Sequence, residues 1–233
     1  MTTVPGAAPV PGRAGTDWWI GLPGWVLQDG SYTDFAVGEI RQFAVEFGYS
    51  RHERLAVVDP SAPLGSEASG QDGDYRVTAS VLRSDPEPTD GCCILDFGLL
   101  AYTEWIVLDD LQPPRVGTRL HGAISLSVDH FAYVDHLAQQ PGVPPLIYTW
   151  TIQEIRLDTS PSIRVSYGHP LYVGPNEGPM SVRDPERRSW RSIDQTDMWE
   201  DHGSYTLRCT LHPREPVSTV SGAGTASPYG PLS

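Results

Sequence analysis

Leu120-His121-Gly122-Ala123-Ile124-Ser125-Leu126-Ser127-Val128 is the most regular stretch of the chain: every second residue is apolar or small, and His121, Ala123, Ser125 and Ser127 fill the alternate positions. A period of two is that of a strand with one buried face, because neighbouring side chains on a strand point to opposite sides. The turn Pro113-Pro114-Arg115-Val116-Gly117 introduces it. Working outward, Tyr75, Val77, Ala79 and Val81 alternate with Arg76, Thr78 and Ser80, and Tyr205, Leu207, Cys209 and Leu211 alternate with Thr206, Arg208 and Thr210. Leu146, Tyr148, Trp150 and Ile152 keep the same period; Ile155 and Leu157 then shift phase as a β-bulge would. Ile163, Val165 and Tyr167 read as the hairpin partner of that strand.

Less regular stretches complete a β-rich pattern. Phe43, Val45, Phe47 and Tyr49 read as one strand bracketed by Gly38 and Gly48, and Cys92–Phe97 and Tyr102–Leu108 as two more. Asp29-Gly30, between Trp25-Val26-Leu27-Gln28 and Ser31-Tyr32-Thr33, predicts a first hairpin, since this pair readily takes positive φ angles. One helix is expected from His130 to Gln140, with Asp129 as its cap, Phe131, Val134, Leu137 and Ala138 at helical spacing, and Pro141-Gly142 ending it. The stretch 59–74, rich in Pro and Gly, reads as a long surface loop. Many short strands with one short helix (about 130–140) predict a mainly β fold, a partly closed Greek-key barrel or a sandwich. A barrel of the oligonucleotide/oligosaccharide-binding type, with the helix plugging one end between late strands, is one candidate.

Residues 1–15 and 213–233 are dominated by Pro, Gly, Ser, Thr and Ala, and bury too little apolar surface to offset the entropy of ordering; both are expected to be disordered tails. That leaves 16–212 as a single β-rich domain, or 16–175 as a core with 176–212 as a C-terminal extension. Of the charged side chains, 16 are basic and 29 acidic, and every basic one is arginine, a composition that suggests a GC-rich coding sequence. A formal charge of −13 repels phosphate backbones and argues against general nucleic-acid binding. The three cysteines, two of them adjacent, do not form a secreted disulfide pattern. With no secretory signal and no membrane-length apolar run, a cytoplasmic protein is expected.

Enzyme signatures fail on their chemistry. Asp96-Phe97-Gly98 matches a kinase magnesium tripeptide, but a chain without lysine lacks the phosphate-binding partner, so a strand end turning over a glycine is the plain reading. His52-Glu53-Arg54-Leu55-Ala56 begins like a zinc-protease helix and has Ala56 where the second histidine belongs. No metal site and no cofactor is expected. The best polar cluster is His121, Tyr133 and His136 with Asp129, a candidate catalytic or ligand pocket because histidine suits proton transfer near neutrality. Trp190 and Trp199, with Arg187 and Arg188 nearby, are candidate binding residues, since exposed aromatics beside arginine anchor partners. Their plainer role is to pin the C-terminal segment to the barrel, just as Trp18, Trp19, Trp25, Tyr32 and Phe35 read as core.

The expectation is therefore a protein-binding or adaptor module, leaning away from catalysis, whose partner is another protein with a basic surface; an immunity-type protein against a basic nuclease is one version, motivated by charge alone. The alternatives are a small-molecule or catalytic barrel, and a structural subunit of a larger assembly. The chain's own residues leave its oligomeric state open.

Overall fold

The computed structural model describes residues 15–49, 55–69, 73–85, 92–104, 113–130, 132–166, 179–199 and 204–213. The expected tails apart from Gly15 and Pro213, His52 to Arg54, residues 105–108 of the predicted strand at 102–108, Phe131 and Tyr167 lie outside them. Among the described residues fourteen strands form: β1 Asp17–Pro23, β2 Ile40–Phe43, β3 Val45–Gly48, β4 Ala56–Val58, β5 Gly65–Ala68, β6 Asp74–Ser84, β7 Cys93–Asp96, β8 Leu100–Thr103, β9 Arg119–Val128, β10 Tyr148–Asp158, β11 Ser162–Val165, β12 Met180–Arg183, β13 Trp190–Ile193 and β14 Ser204–Leu211. A short helix, α1, spans Gly24–Gln28, and a π-helical turn spans Tyr133–Leu137.

Strand β9 pairs along both edges. On one side Arg119 to Ser125 meet β6; on the other, Arg119 to His121 meet β4 and Ser125 to Val128 meet β3. The hairpins β6–β7–β8 and the parallel bridge Glu46↔Tyr102 between β3 and β8 close a ring of five strands. Three hairpin-linked strands with the fourth returning beside the first make a Greek key in the order β9-β6-β7-β8. The fold is mainly β with a closed five-strand barrel and additional strands.

The second part of the sheet, β1–β14–β10, joins this ring through β1. Its register stacks Ile20, Leu207 and Ile155 across three strands, and Trp18, Cys209 and Ile152 beside them, all buried. The outer edge of β10 carries β2 and then β13. The bulge expected in β10 is present: the register slips between Ile152 and Glu154, leaving Gln153 unmatched and letting Ile152 and Ile155 share a face. Phe43 stacks on Trp150 at 5.5 Å, with Phe35 edge-on to Phe43 at 6.0 Å.

Glycine makes the join possible. Gly73 has φ +83, its carbonyl accepts the Leu126 N–H at 2.8 Å, and a Cβ there would meet Leu126 O at 3.1 Å, Gly21 N at 3.3 Å and Trp19 O at 3.4 Å. The backbones of β1, β6 and β9 converge on that point, next to the single parallel bridge Gly21↔Ser127.

Several sequence expectations are corrected. Trp25 to Thr33 is not a hairpin: Pro23 ends β1, the chain turns into α1, and Asp29-Gly30 terminates that helix, with Gly30 at φ +83 and its N–H on Leu27 O at 3.1 Å. The helix of 130–140 contracts to the π-helical turn, where Ala138 N–H reaches Tyr133 O at 2.7 Å. It follows the last ring strand and precedes β10, so it does not lie between barrel strands. The 59–74 loop contains β5, an edge strand on β6. The 40–49 strand breaks at Ala44 into β2, which serves the β10 sheet, and β3, which serves the barrel. Ser162–Val165 pairs with β12 rather than with β10, whose two edges are already occupied.

Gly73→Ala is expected to destabilise the protein by about 1–3 kcal/mol, because it combines left-handed backbone with crowding. Gly117→Ala, at φ +85 with nothing within 4 Å of the added carbon, carries only the backbone cost and should lose less. Urea unfolding of both variants checks this; equal losses would contradict the crowded junction.

Candidate functional site

The residues singled out in sequence do not converge. His121 lies on β9 with Nδ1 sharing a hydrogen bond with Thr78 Oγ1 at 3.0 Å. Eight residues of extended strand, roughly 26 Å, separate it from Asp129. His136 is exposed, whereas Tyr133 is buried, its hydroxyl donating to Pro144 O at 3.1 Å and accepting from Leu146 N at 2.9 Å. Asp129 and Tyr133 do meet: the fully buried carboxylate accepts the Tyr133 N–H at 3.3 Å, as a capping residue would.

A polar cluster forms around that carboxylate at the end of β9. The bridge Glu46↔Tyr102 and the pair Glu46↔Ser127 bring β3 and β8 alongside the last residues of β9. The Tyr102 hydroxyl donates to Asp129 Oδ1, and the Tyr102 and Tyr133 rings lie 6.1 Å apart. His130 Nδ1 is 2.9 Å from Glu46 Oε2. Trp25, from α1, packs its indole against the His130 imidazole in a T-shaped contact, ring centres 5.5 Å apart. Burial raises the Glu46 carboxyl above its ordinary range, and the charges of Asp129 and Glu104 raise it further, against the lowering influence of His130. The Tyr102 phenol is likewise pushed up, first by burial and then by Asp129. A partly exposed imidazole thus follows directly in the chain on a buried phenol–carboxylate pair. Among the described residues no group of three or more His, Cys, Asp or Glu side chains is placed to hold a metal ion.

All three cysteines are buried, which disfavours the thiolate form. Burial pushes the Cys92 thiol up to about 12 and raises Cys93 and Cys209 as well.

A second locus is a pair of joined segments with exposed apolar side chains on them and on their flanks. Segments 34–37 and 194–196 are tied together: Val37 N–H to Asp194 O at 2.8 Å, Thr196 N–H to Phe35 O at 2.9 Å, Phe35 N–H to Thr196 Oγ1 at 2.9 Å, and Thr196 Oγ1 to Asp34 Oδ1 at 3.0 Å. Val37, Ile40 and Trp199 come from these segments and their flanks and are 43%, 60% and 83% exposed. Asp194 and Asp197 beside them are exposed, while Glu39 pairs with Arg41 at 2.9 Å. The Trp199 turn is held from below: Trp199 N–H donates to Asp197 Oδ1 at 2.9 Å, and Tyr205 hydroxyl donates to Asp197 O at 2.9 Å.

Of the other candidate binding residues, Trp190 begins β13 and is half-buried opposite Asp158, and Arg187 and Arg188 are exposed on the turn before it. They do not adjoin Trp199 in sequence or in pairing. The first aromatic group divides: Trp18, Tyr32 and Phe35 are core, Trp19 is half-buried with Arg156 stacked 4.3 Å above it, and Trp25 is 51% exposed. No helix among the described residues is long and apolar enough to cross a membrane. The chain matches no protein-family model, and neither a curated protein nor a solved structure is similar to it at a significant level.

Two outcomes follow from the polar cluster. Tyr102→Phe removes a hydroxyl donor from a buried carboxylate and is expected to cost about 1–3 kcal/mol in urea unfolding at neutral pH. For Glu46, a raised folded value means that the fold favours the protonated form, so the group's contribution is fullest below the ordinary carboxylate range and is lost as pH rises through the folded value. The stability of Glu46→Gln relative to the native protein should therefore rise as pH increases through and above the ordinary carboxylate range, at constant ionic strength. A pH-independent difference would contradict the assignment.

Proposed function

We propose that this protein is a non-catalytic binding module that docks a basic protein surface on the acidic, partly apolar face around Trp199. The observation that carries this reading is the exposure of Trp199 on a turn whose backbone is fixed by Asp197 and Tyr205. A tryptophan holds roughly 150–250 Å² of surface to bury. At about 25 cal/mol per Å², leaving it in water forgoes several kcal/mol that a partner's pocket recovers. A turn whose backbone is already held also spares a partner the cost of ordering it, which favours an anchor at that position. Val37 and Ile40 extend the apolar area, and Asp194 and Asp197 rim it with negative charge. The formal charge of −13 adds long-range attraction for a basic partner.

Affinity purification of the tagged protein from its native host, at low and high salt, tests the proposal. The expected result is a specific partner that is lost as salt rises and whose affinity falls about thirtyfold in Trp199→Ala, the loss typical of an anchor. A partner held equally by Trp199→Ala and indifferent to salt would place the docking face elsewhere.

A further inference from the structure

The His130–Glu46 pair joins three elements that are distant in sequence. Glu46 comes from β3, His130 follows the last residue of β9 by two positions, and Trp25 projects from α1 onto the imidazole. Within α1, Val26 and Leu27 are buried and hold the helix to the core, whereas Trp25 is 51% exposed and contributes little to seating it. The His130 side chain is 30% exposed, within reach of solvent protons.

We propose that His130 is a proton-operated rest for Trp25, with the indole held against the barrel when the imidazole is protonated and released toward solvent when it is neutral. The groups that face the imidazole set the direction. Glu46 from β3 contacts it directly, Trp25 from α1 packs its ring on it, and Asp129 precedes it in the chain; Tyr102 and the Tyr133 N–H bind Asp129 behind it, and Glu104, just beyond β8, acts on Glu46. These are carboxylates and aromatic rings, and the charges acting on Glu46 are His130, Asp129 and Glu104. A protonated imidazole offsets the charge of Glu46, which itself lies under the charges of Asp129 and Glu104, and attracts the electron-rich indole. Once it loses its proton, both attractions go and the carboxylates repel one another. Neutral histidine still offers one N–H to Glu46, so the hydrogen bond survives while the charge that favours the indole contact does not. The device is independent of docking at Trp199.

The test follows the Trp25 indole N–H and the His130 ring carbons by NMR from about pH 5 to 8, the range in which histidines titrate. Trp25→Phe identifies the indole resonance. Support is a Trp25 resonance that moves with the same midpoint as His130 in the native chain and stops moving in His130→Gln; in Glu46→Gln the movement persists with reduced amplitude. A Trp25 resonance that stays still while His130 titrates, or that moves unchanged in His130→Gln, overturns the proposal. The native-chain comparison decides the matter even if a variant fails to fold.

Discussion

Three backbones come within contact distance at Gly73, and the rest of the molecule depends on that approach. Leu126 hands its N–H to Gly73 O, and β1 passes close enough that any side chain on Gly73 would strike Trp19 O, Gly21 N or Leu126 O. β9 thereby holds β6 on one edge up to Ser125 and receives β1 at Ser127, which changes the partner of that edge from barrel to outer sheet. A side chain in left-handed backbone there would carry strain and oblige the neighbouring backbones to give by a few tenths of an ångström.

The consequence is positional. The end of β9 is the place where β3, β8 and β1 gather, so the residues just past Val128 are surrounded by elements from four parts of the chain. That is why Asp129 and His130, adjacent in sequence, find Tyr102 and Glu46 as partners. On the far side of β1, β14 continues the sheet to β10, and the segments that follow β1 and precede β14 carry Trp25 and Trp199 respectively. Both exposed tryptophans are thus products of the same join, one resting on the polar cluster and the other standing free in solvent.

What the sequence disclosed follows from how each strand is buried. β6, β9, β10 and β14 have one buried face, and their alternation, including the slip around Gln153, is visible in the residues. β7 and β8 are buried on both faces, so Cys93–Asp96 and Leu100–Thr103 show no alternation; only Gly98, at φ +97 with its N–H on Asp96 Oδ1, marks the hairpin between them. α1 is five residues long, too short for a helical period to show, and Asp29-Gly30 suits a helix end as well as a hairpin. The candidate site was legible only through Asp129 and Tyr133. Glu46 is separated from His130 by 84 positions and looks like any wet-face strand residue until the register with Ser127 is known. The exposure of Trp199 was equally hidden, because composition does not tell an anchor from a core residue.

Native-state hydrogen exchange tests most directly whether one join holds the molecule together. If β9 and β1 splice the barrel to the outer sheet as described, the most protected amides of β9 and β14 will share a single opening free energy, equal to that of global unfolding, and will fall together in Gly73→Ala. Separate opening free energies for the two strands, with Gly73→Ala lowering only one of them, would show two independent units and contradict the account.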